Sequence, residues 1–140
     1  MRVLGLDLGS HTIGLAVSDP FGWTAQGLST WRRKGDLPAD LQEIERLVKQ
    51  YEVNLIVIGL PKNLNGDLGP AAKGVQEFGS LLAERLGLEV VFWDERLTTV
   101  AAEKVLLTGD VSRRKRKKVI DKLAAVLILQ NYLDWKSRQP

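Results

Sequence analysis

The stretch VLGLDLGSHTIGLAVSDP, Val3 to Pro20, decides how the chain is read. Successive side chains of an extended segment alternate, so Leu4, Leu6 and Leu8 fall on one face and Val3, Gly5 and Asp7 on the other. One face therefore packs on a core. The other carries Asp7 near the carboxyl end of the strand, among leucines and glycines. A burial-driven strand gains nothing from a carboxylate there, and desolvation is costly unless the charge is paired or metal-bound. Gly9-Ser10-His11 reads as a hairpin turn, with Gly9 expected at positive φ. Ile13 to Ser18 is the returning strand, in which Gly14 allows a close approach, and Asp19-Pro20 with Gly22 closes it.

Further along, Thr24 to Trp31 reads as a third strand. Leu37, Leu41, Ile44, Leu47, Val48 and Tyr51 recur at helical spacing, with Asp36 as N-cap and Pro38 in the first turn. Asn54 to Ile58 is a short apolar run suited to a strand buried on both faces. The loop PKNLNGDLG follows, with Asn65-Gly66 as its turn. A second helix starts at Gly69-Pro70, shows an inner stripe of Ala71, Val75, Phe78, Leu82 and Leu86, and is capped by Gly87. Leu88 to Trp93 is a fifth, central strand, ended by Asp94-Glu95. A helix capped by Thr98 or Thr99 runs through Leu107. A last one, from about Lys117 to Lys136, is apolar enough along VIDKLAAVLILQNYL to be substantially buried. The order βββαβαβαα predicts an α/β fold of three layers: a mixed five-stranded sheet with helices on both faces.

The 140 residues are expected to form one domain, 1–140. Cysteine is absent, so disulfides and thiolate metal sites are excluded. The run MRVLGLDLG is a poor signal peptide and too short for a membrane span, so a cytoplasmic soluble protein is expected. Lys and Arg number 20 against 17 Asp and Glu, a balance less informative than its distribution. Arg113, Arg114, Lys115, Arg116, Lys117 and Lys118 are six consecutive cations, and Trp31-Arg32-Arg33-Lys34 is a shorter cluster. Both suit a polyanion partner; a solvated basic loop is the plainer alternative.

Three acids sit where burial rules disfavour them: Asp7, Glu95 at the end of the fifth strand, and Asp121 inside the apolar last helix. Sites in open α/β sheets gather at the carboxyl ends of strands. Converging carboxylates repel unless one is protonated or a cation intervenes. Oxygen-only ligands suit Mg²⁺ or Mn²⁺, and two such ions roughly 3.5–4 Å apart form the arrangement used for in-line phosphodiester cleavage. For each acid taken alone, a turn, cap or surface role is the simpler account. Asp19 and Asp94 are read as turn residues.

DLGSHTIGLAVSD, VIGLPKNLNGDLG, DERLTT and KVIDKLAAVLILQNYL, in that order, resemble the successive motifs of the YqgF/RuvX family. Its members are described as bacterial Holliday junction resolvases and as pre-16S ribosomal RNA nucleases. The resemblance spans nearly the whole chain. It implies a ribonuclease H-like fold and metal-dependent nuclease chemistry, with the acidic site on Asp7, Glu95 and Asp121. One departure stands out: His11-Thr12 replaces the basic residue and arginine that the family usually places before Ile-Gly.

Around this site, Lys62 and Asn63 are candidate contacts to phosphate or bases. Arg96 is read either as a bidentate phosphate ligand or as a partner of Asp94 or Asp121. Trp31, beside Arg32 and Arg33, is the best base-stacking candidate, and the 113–118 run would neutralise phosphates. His11 is read as an exposed turn residue. Three functions compete. The first is a nuclease acting on the 5′ end of pre-16S rRNA, or on branched DNA, as monomer or homodimer and with no membrane partner. The second is a nucleotide phosphotransferase, because DLGS also resembles the first phosphate motif of actin-like kinases; 140 residues have no room for the second domain those require. The third is a non-catalytic nucleic-acid-binding module.

Overall fold

A computed structural model describes residues 1–97 and 113–140, with side chains in the last helix described from Lys122 onward. The elements are β1 (Arg2–Leu8), β2 (Thr12–Ser18), β3 (Ala25–Arg32), α1 (Leu37–Gln50), β4 (Val53–Leu60), α2 (Pro70–Leu86), β5 (Glu89–Asp94), a 3-10 turn (Glu95–Leu97) and α3 (Arg113–Ser137). The expected helix from Thr98 or Thr99 to Leu107 lies outside the described residues.

The sheet order is β3-β2-β1-β4-β5. β1, β2 and β3 form an antiparallel meander, and β4 and β5 add parallel to β1. Parallel neighbours need a crossover, and α1 and α2 supply two of them. The β1 alternation divides the core. Leu4 and Leu6 join Ile56, Ile58, Leu41, Ile44, Val75 and Phe78 on the α1/α2 side. Val3 joins Leu55, Val57, Ala125, Ile128 and Leu129 on the α3 side. Gly5 belongs to the second face because α3 lies directly on it: a Cβ at Gly5 would stand 2.7 Å from Leu129 Cβ and 3.2 Å from the Ala125 carbonyl oxygen.

Caps account for the helix limits. Asp36 accepts a hydrogen bond from Ala39 N at 3.2 Å and opens α1. Gly87, at φ 65°, ends α2 with its N–H on the Ala83 carbonyl. Four expectations are corrected. Gly9 is not among the positive-φ glycines; its N–H donates to Thr12 O at 2.8 Å, and a Cβ there would press to 3.0 Å on that oxygen. β4 continues through Gly59 to Leu60. β5 is the edge strand of the order and only half-buried; it reads as central because α2 covers one face and the Trp93–Tyr132–Trp135 aromatic group the other. The basic run lies within α3, helical from Arg113, because Lys and Arg are good helix formers.

The direction of α3 follows from its contacts. Lys122 crosses Gly27, whereas Gln130 Oε1 accepts from Ala25 N at 2.8 Å and its Nε2 donates to Trp23 O at 3.0 Å. Moving along α3 therefore moves back along β3, which runs in the same sense as β1. The amino-terminal part of α3 points towards the end of the sheet where β1 and β4 finish.

Candidate active site

Asp7 is 8% exposed at the end of β1, on the α3 face, opposite Gly14 of β2. On its other side the parallel register pairs Leu6 with Ile58, which sets Asp7 abreast of Gly59. Gly59 in turn pairs with Trp93 of β5. The 3-10 turn after β5 folds Glu95 back over this row. Its Oε1 lies 2.6 Å from the point where a Gly59 Cβ would be, and Ile128 Cδ1 lies 2.5 Å from that point. The absent side chain at 59 is thus the space that the Glu95 carboxylate occupies. Neighbouring strands are spaced ~4.8 Å apart, so Asp7 and Glu95 share one face on adjacent columns although β1 and β5 are not themselves neighbours. The third predicted ligand, Asp121, is one helical turn before Ala125 on α3; its side chain lies outside the described residues. Among the described residues no cluster of three or more His, Cys, Asp or Glu groups can hold a metal ion.

Glu95 is flanked by a locked pair. Arg96 N donates to Asp94 Oδ1 at 3.0 Å, Arg96 Nε reaches both carboxylate oxygens at 3.1 Å, and Nη2 donates to Oδ2 at 2.7 Å. The Arg96 side-chain hydrogen bond, foremost, holds the Asp94 carboxyl below its usual range, and the same bond raises the guanidinium. Lys62 Nζ stands 3.8 Å from the same carboxylate. Of the two readings of Arg96, the structure realises the pairing with Asp94; Lys62 shares that partner.

The second predicted cluster is largely structural. Trp31 Nε1 donates to Asp40 Oδ1 at 2.9 Å and its ring packs on the core, which corrects its reading as a free stacking platform. Arg33 Nε donates to Asp40 Oδ2 at 2.9 Å, and Nη1 to the Gly9 carbonyl at 2.7 Å. These bonds hold the β1–β2 hairpin, two residues beyond Asp7, against α1. Arg32 and Lys34 are exposed, as is His11. Asn63 is bound into its loop through its N–H on Asp67 O at 3.0 Å. Arg113, Arg114, Lys115, Arg116, Lys117 and Lys118 occupy the start of α3; their side chains lie outside the described residues.

The sequence gives no functional reading of Gly59 or Asp40, and it reads Asp94 as a turn residue and as one of the partners open to Arg96. The signal for Gly59 was a glycine inside a strand, which marks a close approach. Asp40 lies among the polar residues of an amphipathic helix and carries no signal of its own.

A mixed sheet flanked by helices on both faces, with Asp7 at the end of its first strand and Glu95 folded over the same end, defines the ribonuclease H-like class. Solved structures agree at the level of fold. RuvC from T. thermophilus, solved with a Holliday junction substrate, superposes with a TM-score of 0.61 at 13% identity over 98% of this chain and 96% of that one. The yeast mitochondrial Holliday junction resolvase does so with 0.55 at 14% identity, over 97% and 79%. Within that class, residues 1–135 match the RuvX family model, described as Holliday junction resolvase, and the chain belongs to that family. A Heliobacterium modesticaldum protein is 61% identical over 98% of this chain and 91% of its own length. One from Halalkalibacterium halodurans is 58% identical over 96% of each. Both are named "Putative pre-16S rRNA nuclease".

Proposed function

We propose that the chain is a divalent-metal-dependent nuclease that hydrolyses phosphodiester bonds at the 5′ end of pre-16S rRNA. The observation that carries this reading is the Glu95 carboxylate lying in the space vacated at Gly59, beside Asp7. Two carboxylates on one face repel unless one is protonated or a cation lies between them, and an all-oxygen donor set fits Mg²⁺ or Mn²⁺. Asp7, Glu95 and Asp121 would hold the metal, which supplies water activation and neutralises charge on the scissile phosphate. The protein's own part is placement. The hairpin pinned by Arg33 fixes Asp7, and the Asp94–Arg96 pair fixes the turn that bears Glu95. α3 opens on six cations with no acid in its first turn. Cations at the positive end of a helix dipole cost stability, and a phosphate backbone would offset that cost. Lysine and arginine contacts of this kind position a polynucleotide without reading its sequence.

The names of the 58–61% identical relatives favour the ribosomal precursor. The family description and the resolvase fold favour branched DNA as the second reading. A cleavage panel separates them: a pre-16S 5′ end, a four-way junction, and unstructured RNA and DNA, each with Mg²⁺, Mn²⁺ or EDTA. Cutting is expected on the precursor with either ion, leaving 5′-phosphate and 3′-hydroxyl ends, and not in EDTA. Asp7→Asn should bind the same substrate without cutting it. Equal cutting by Asp7→Asn and wild type discards the site.

A further inference from the structure

The most exposed large apolar side chain among the described residues is Leu64, at 97%. A lone exposed leucine has no meaning by itself; what distinguishes this one is how it is mounted. Arg96 Nη1 donates to the Leu64 carbonyl at 3.4 Å while the rest of the guanidinium is fixed on Asp94. Gly66 takes φ 92°, a conformation that other residues rarely adopt. Its N–H closes the turn on Asn63 O at 2.8 Å, and its Cα faces Arg96, where a Cβ would stand 3.3 Å from Nη1. Asn65 and Asp67 brace the tip, with Asn65 Nδ2 on Asp67 Oδ2 at 2.9 Å and Asp67 N on Asn65 Oδ1 at 3.0 Å. The loop leaves β4 at Leu60, the end of the sheet that carries Asp7 and Glu95. An apolar side chain is thus held out into solvent by a braced loop tied to the residue next to Glu95.

We propose that Leu64 is a wedge that enters between bases of the polynucleotide beside the scissile phosphate and holds one base unstacked. This rests on the nuclease reading and adds to it an apolar contact with base faces, which the basic residues do not supply. The occupant is a nucleobase for two reasons. Base faces are the apolar surface a nucleic acid presents, and leucine is among the side chains that proteins insert between base steps. A single leucine is also far below the area of a stable protein interface. The bracing matters because a mobile tip would yield to the stacked bases instead of parting them.

The test uses 2-aminopurine, whose fluorescence rises on unstacking, placed in turn at each position flanking the stem–strand boundary of a precursor-like RNA hairpin and the crossover of a four-way DNA junction. Binding is measured in EDTA, so that no cleavage intervenes. Wild type is expected to raise the signal several-fold at one position of the probe it binds. Leu64→Ala should lose most of that rise while its Kd changes less than about threefold, since phosphate contacts carry most of the affinity. Leu64→Phe should restore it. At 97% exposure the alanine variant should fold normally, which a thermal melt checks. Binding with no rise at any position, or an equal rise with Leu64→Ala, overturns the wedge and leaves the nuclease reading standing. Failure of wild type to bind either probe sinks both.

Discussion

Replacing Gly59 by alanine tests the architecture of the site through a single methyl group. That methyl would stand 2.5 Å from Ile128 Cδ1, 3.1 Å from Ile128 Cγ1 and 2.6 Å from Glu95 Oε1. Two costs follow, and they can be separated. Overpacking against Ile128 destabilises by about 1–3 kcal/mol; at roughly 3 °C per kcal/mol for a chain of this length, Tm falls by about 3–9 °C. Glu95 must also retreat by about 0.8 Å to reach an ordinary contact, and a displacement near 1 Å in a catalytic group costs up to about 100-fold in rate. Gly59→Ala should therefore melt lower and cleave about 10- to 100-fold more slowly. Adding Ile128→Val removes Cδ1 and makes the pair close to volume-conserving, which should bring stability back to within about 1.5 kcal/mol of wild type, or about 5 °C in Tm. It does nothing for Glu95, so cleavage should stay low. The assay is a thermal melt paired with single-turnover cleavage in Mn²⁺. A double variant that is stable and cleaves at the wild-type rate would refute the placement of Glu95 in the catalytic row.

Asp40→Ala strands the Arg33 guanidinium and the Trp31 N–H; breaking a buried pair costs about 3–5 kcal/mol, and because Arg33 is partly exposed the low end is expected, read as a lower urea midpoint. Gly74 lies inside α2 with nothing within 4 Å of a Cβ; Gly74→Ala should add about 0.5–1 kcal/mol from backbone entropy, and a lower melting temperature would count against that account. Asp19 accepts hydrogen bonds from the backbone N–H groups of Thr24, Trp23 and Phe21, and the Thr24 bond above all holds its pKa below the ordinary 3.8. A depressed folded-state pKa gives stability that is present above the unfolded value and lost as pH falls through the folded one. The advantage of wild type over Asp19→Ala should stay constant from neutral pH down to about 4 and shrink below it; a gap that instead closes near pH 6 would point to another group.

Local chemistry was legible where a segment carries its own instructions. The Asp36 cap, Pro38 and the Leu41–Ile44–Leu47 stripe marked α1, and Gly87 marked the end of α2. The alternation in β1 separated the Leu4/Leu6 face from the Asp7 face before any partner was known. The place of β5 was not legible, because a strand covered on both faces has the same apolar pattern at an edge as at the centre. Trp31 was misread for a related reason: its basic neighbours in the chain suggested a nucleic-acid surface, while its real partner, Asp40, sits on another element.

The chain's own order of residues settled the strand and helix periods, the caps, the oddity of a carboxylate at Asp7 and the family resemblance, since each depends on neighbours a few positions apart. Only the folded chain decided that Glu95 fills the hollow at Gly59, that Arg96 serves Asp94 and the loop at Leu64, and that Asp40 secures the hairpin after Asp7. Apart from the short Asp94–Arg96 and Arg33–Asp40 spacings, these contacts join groups far apart in sequence, Gly59 with Glu95, Leu64 with Arg96 and Gly9 with Arg33; strand order and helix crossing set them, and no local pattern encodes a distance across the sheet.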